Sequence, residues 1–173
     1  MKAVRSILAV AVLMAMTLSS SGCNALTTAQ NFENVINGIL QIAKAEIPAL
    51  ATADAAVLQQ WVNLGTTLNG QLQTCIAGAG AAGGKKSAFL ACFNALAAGV
   101  ASPAELAQLR VLSSDAQKKA QLWVTAIILG VNAALAAFGG QQQTLPQVAA
   151  EQPSHQDLDA LAHRLGVASA RGF

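Results

Sequence analysis

The stretch LWVTAIILGVNAALAAFG, residues 122–139, decides how this chain is read, because only Thr125 and Asn132 in it carry clearly polar side chains. A helix that is apolar all round is either the centre of a bundle or a membrane span, and 18 residues stand at the lower edge of spanning length. The Ala and Gly content and the central Asn132 fit a core helix, whereas Trp123 and the Lys118-Lys119 pair would suit an interface anchor on a span. Both readings make the segment helical. The whole chain leans the same way: Ala, Leu, Val and Gln dominate, Tyr is absent and 10% of residues are charged. Ala, Leu and Gln lose little entropy in a helix, so the composition predicts an all-α fold.

Working outward, Ser114 or Asp115 starts this long helix, which runs through Phe138. Upstream, Ser102-Pro103-Ala104-Glu105 places a capping Ser before a Pro at the first helical position with Glu three residues on, which starts a short helix to about Leu112. Phe32, Val35, Ile36, Ile39, Leu40, Ala43 and Ile47 recur at helical spacing and give a first amphipathic helix that Pro48 ends. Thr52 or Asp54 can cap a second helix with Val57, Trp61, Leu64, Leu68, Leu72 and Cys75 on one stripe. The Gly/Ala-rich residues 76–84 read as a loop, and Phe89, Leu90, Phe93, Leu96 and Val100 form a third helix returning antiparallel. Downstream, Gly139-Gly140, a Gln run, Pro146 and Pro153 mark a linker. Ser154 then caps a brief helix with Leu158, Leu161 and Leu165, stopped by Gly166. That helix either docks on the bundle or on another protein, or frays as a tail.

At the other end, Lys2 and Arg5 precede an apolar stretch of 12 residues, Ile7 to Leu18, and the small residues Ser19, Ser20, Ser21 and Gly22. This is the anatomy of an export leader, and the apolar run is too short to span a bilayer. The small run ending in Gly22-Cys23 resembles the lipobox of bacterial lipoproteins, with Ser20 standing where that family usually has Leu. The resemblance covers residues 1–24 and implies that Cys23 is lipidated and becomes the mature N-terminus. Cleavage after Gly22 without lipidation, leaving a free Cys23, is the alternative. Asn24 is not the Asp that favours inner-membrane retention in Gram-negative members, so the resemblance further implies the periplasmic face of the outer membrane.

Lipidating Cys23 leaves two thiols, Cys75 and Cys92, in a compartment where disulfides persist, so a Cys75–Cys92 bridge is expected. Placed near the end of one helix and early in the next, they would staple a hairpin close to its loop. Two buried free thiols are the alternative. A redox pair is disfavoured because the close Cys-x-x-Cys spacing is absent.

Charge and motifs narrow the functions. Removing Lys2 and Arg5 with the leader leaves 8 basic residues against 8 acidic ones. A neutral chain without basic clusters or interleaved aromatics offers little to neutralise phosphates, so no nucleic-acid partner is expected. Residues 78–83, Gly-Ala-Gly-Ala-Ala-Gly, match the dinucleotide fingerprint by letter but follow a helix rather than a strand. In Gly84-Lys85-Lys86-Ser87, Lys86 takes the position a phosphate loop gives to a hydroxyl. His155, Asp159 and His163 lie four apart on one helical face and could present ligands to a metal, but i,i+4 charge pairing on a solvated face is the preferred reading. As the two His lie in this tail, a His-dependent hydrolase is disfavoured, and no cofactor, metal or catalytic group is expected.

The expected molecule is thus a small bundle of four to five helices with one stapled hairpin. Its parts are a leader at 1–22, a lipidated tether at 23–30, an Ala-rich bundle at 31–139, a linker at 140–153 and a short helix or tail at 154–173. The expected role is a non-catalytic interaction or scaffold module on a membrane of the cell envelope, with another envelope protein as partner. A carrier of a lipid or other hydrophobic ligand is one alternative. A membrane hairpin of residues 88–101 and 122–139 is another.

Overall fold

The computed structural model describes residues 25–166, so the leader and Cys23 lie outside the described residues. Six α-helices and no strand occur among them: α1 (Ala25–Glu46), α2 (Thr52–Ala81), α3 (Lys86–Val100), α4 (Pro103–Leu109), α5 (Ser114–Phe138) and α6 (His155–Arg164). The all-α class and the stapled hairpin hold, and the helix count exceeds the expected four to five.

Helices α1, α2, α3 and α5 form a ring in which each packs on two neighbours: α1 on α2, α2 on α3, α3 on α5 and α5 on α1. The order is up-down-up-down. Leu26 at the start of α1 lies against Gly80 at the end of α2, and Phe89 at the start of α3 stacks on Phe138 at the end of α5, 5.3 Å between centroids. Short α4 carries the chain from α3 back to α5. Phe32, Ile36, Leu40, Trp61, Phe89, Phe93, Trp123 and Ile127 fill the interior, with Phe32 edge-on to Phe93. The decisive stretch is the core helix of this ring. It is long and apolar enough to cross a membrane, with mean hydropathy 1.8, but 78% of that apolar window is buried inside the bundle.

Local details differ from expectation where tertiary packing overrides pattern. Helix α1 begins at Ala25, not at residue 31, because Leu26 and the fully buried Ala29 already pack on the bundle. Helix α2 runs to Ala81, through most of the expected loop. Ala79 is buried there, and the missing side chain of Gly80 lets Leu26 approach where a Cβ would come within 2.9 Å. The connection shrinks to residues 82–85, within which Gly83 and Gly84 take φ of +96° and +65° that suit glycine. Because α2 packs on both α1 and α3, its buried residues, Leu58, Trp61, Val62, Gly65, Asn69, Leu72, Ile76 and Ala79, form a broader face. The expected stripe catches one flank of it, leaving Leu64 and Leu68 half-buried and Cys75 exposed.

Caps are partly exchanged. Ser102 caps α4 as expected, accepting from Glu105 N–H at 3.3 Å. Asp54 does not cap α2; it accepts from the backbone N–H and hydroxyl of Ser113 and ties the starts of α2 and α5 together. Gly139 ends α5 with φ of +79°, and Ser154 forms a full capping box with Asp157 on α6.

Residues 140–153 lack regular structure, as their Gly, Gln and Pro content implies, yet they are fastened to the bundle rather than spaced from it. Asn132 exchanges two hydrogen bonds with the backbone of Gln143, donating to its carbonyl at 2.9 Å and accepting from its N–H at 2.6 Å. Arg110 donates twice to the Gln147 carbonyl, at 3.0 and 2.8 Å. Val148 and Ala149 are buried. Helix α6 then docks through Leu158, Leu161 and Ala162, and Leu165 sits over Gly38 of α1.

Candidate functional site

Cys23 stands two positions before the first residue of α1. That end of the ring gathers the start of α1, the end of α2, the Gly83-Gly84 turn, the start of α3 and the end of α5. One turn inside it, Cys75 of exposed position and buried Cys92 form a disulfide with Cα atoms 5.8 Å apart. The chain has three cysteines, so this bridge uses the two besides Cys23.

Farther along α1, buried Glu33 accepts from the Asn69 amide of α2 at 2.9 Å, while Asn69 Oδ1 and the Trp123 indole N–H are buried without partners. At the opposite end, Glu46 of α1 accepts from Lys119 of α5 at 2.9 Å and from Arg164 of α6, joining three helices. Burial alone would raise its pKa. The hydrogen bonds and positive charges of Arg164 and Lys119 outweigh that and hold the carboxyl below its ordinary value. This cluster was not visible in the sequence, since its members lie far apart along the chain and none belongs to a motif.

The dinucleotide-like run falls on the last turn of α2 and the following turn, so it lacks the strand that the motif needs. Lys85 and Lys86 are exposed at the start of α3. His155, Asp159 and His163 lie on α6, and among the described residues no group of three or more His, Cys, Asp or Glu side chains is arranged to hold a metal. A cleft of about 320 Å³ opens between α5 and the C-terminal segment, lined by Lys118, Lys119, Leu122, Glu151, Pro153 and Asp157. Beneath α6, an apolar groove lined by Ile39, Ala126, Leu129 and the α6 leucines retains about 30 Å³. No protein-family model, curated protein or solved structure matches the chain.

Proposed function

We propose that this chain is a cell-envelope lipoprotein: residues 1–22 export it, Cys23 becomes a lipid-bearing N-terminus, and the bundle is a non-catalytic interaction or scaffold module at the membrane surface. The pairing of Cys75 with Cys92 carries the reading, because it leaves Cys23 as the thiol outside a disulfide. Such a bridge also suits an oxidising compartment. The start of α1 at Ala25 adds support, since two residues separate it from Cys23 in sequence, so that an anchor there would hold one end of the bundle and not a long tether. Asn24 argues for the periplasmic face of the outer membrane in a Gram-negative host.

The partner on this reading is another envelope protein. The carrier alternative has less support: the apolar groove under α6 holds about 30 Å³, some tenfold short of the roughly 300–1,000 Å³ typical of ligand sites, and the cleft of about 320 Å³ beside α5 is lined by Lys118, Lys119, Glu151 and Asp157, a charged setting for a hydrophobic ligand. Intact-mass analysis of the mature protein tests the anchor. A chain that begins at Cys23 and is heavier by a diacylglyceryl group and its acyl chain is expected; an unmodified chain beginning elsewhere refutes the reading.

A further inference from the structure

The described charges are divided unevenly between the two ends of the ring. Lys85 and Lys86 project from the end where α1 begins, exposed and without a salt-bridge partner among the described residues. Gly83 and Gly84 set the turn that presents them; the starts of α1 and α3 meet the ends of α2 and α5 here, so the helix dipoles offset one another and the two ammonium groups are what charges this end. The carboxylate nearest this end is Glu33, which is buried and hydrogen-bonded to Asn69. Glu46, Asp54, Glu105 and Asp115 belong to the far end, at the close of α1, the start of α2, α4 and the start of α5. Glu151 and Asp157 line the cleft beside Lys118 and Lys119 on the first turns of α5. Among the described residues, the end where α1 begins thus exposes Lys85 and Lys86 as its charged side chains, with small residues, Ala81 to Gly84, at its tip, while Asp159 lies on α6 with Arg164.

We propose that this face lies on the anionic headgroups of the bilayer that holds Cys23, so that the bundle stands end-on with α4 and the Glu46 cluster pointing away. The proposal rests on the lipid-anchor reading. A lipid on Cys23 brings the start of α1 to the surface but leaves the tilt of the bundle free; two ammonium groups at the same end, across the ring on α3, bias it toward end-on. Each lysine near an anionic surface favours contact by roughly fivefold, and salt weakens the effect within a Debye length. The bilayer fits better than a protein partner here because the covalent anchor already delivers this end to it.

Bromolipid quenching of an added tryptophan tests the orientation, since native Trp61 and Trp123 are buried and contribute little. The lipidated protein is placed in vesicles of brominated phosphatidylglycerol and phosphatidylcholine, with Ala82→Trp at the cationic tip or Val111→Trp at the far end, where Val111 is 81% exposed. Quenching of Ala82→Trp should exceed that of Val111→Trp by at least about fivefold, the effect of a single lysine, and should fall by at least that factor with Lys85→Glu and Lys86→Glu together, in high salt, or without phosphatidylglycerol. Lys85→Arg with Lys86→Arg should retain it. Equal quenching at both positions, or quenching at Ala82→Trp indifferent to charge and salt, overturns the proposal while the anchor stands. A preparation whose mass shows no lipid on Cys23 overturns both, and the mass tells the two failures apart.

Discussion

Gln121 sits on α5 at 1% exposure and commits its amide to one stretch of main chain. Its oxygen accepts from the Val148 and Ala149 N–H groups, and its nitrogen donates to the Pro146 carbonyl at 2.9 Å, with Thr125 and Gln152 also in reach. Leucine at this position would keep the volume and the helix, but would leave two buried N–H groups without acceptors. Gln121→Leu is therefore expected to lower the unfolding free energy by about 2–4 kcal/mol in a urea titration, with helical content retained. Glu46 supports a pH prediction. Its folded pKa lies below the ordinary value of 4.5, so its contribution is complete above that pH and is lost as pH falls through the lowered folded value. Both partners are substantially exposed, which keeps the effect small. Hydrogen-exchange protection of α6 should drop about two- to fivefold between pH 6 and pH 3 in the native chain. In Glu46→Gln it should already be lower at pH 6 and lack that step; identical pH profiles in the two proteins would contradict the assignment.

Helix α2 marks the boundary between what pattern shows and what packing decides. Its existence, its antiparallel return into α3 and the staple between Cys75 and Cys92 were legible from apolar spacing and cysteine parity. Its end was not, because Gly78 and Gly80 read as loop formers until Leu26 of another helix is known to need the space over Gly80. Nor was the orientation of its buried face, since a single stripe cannot anticipate a helix that serves two neighbours. The bridge closes a loop over a sequence separation of 17. On the chain-entropy account, Cys75→Ser with Cys92→Ala should cost roughly 3 kcal/mol, read as a lower urea midpoint than the oxidised parent. Reductant should shift the parent and leave the double variant unmoved.

For the whole molecule, the helical nature of residues 122–139 and the absence of a strand among the described residues followed from composition and hydropathy, whereas core helix or membrane span was decided only by the 78% burial of that apolar window. The role of residues 140–153 did not, because Gly, Gln and Pro announce irregular backbone without saying whether it is free or fastened. What fastens it, Gln121, Asn132 and Arg110, looks in the sequence like ordinary polar punctuation. The fastening sets an order of assembly. A chain emerging N-terminus first can pair α1 with α2 and α2 with α3 while its last stretch is still missing. Helix α5 can then seat its apolar flanks, but Gln121 and Asn132 stay wet until residues 143–149 arrive to dry them. The final stretch is thus the closing stitch, and cutting it away would leave two amides facing water in the seam of the bundle's central helix.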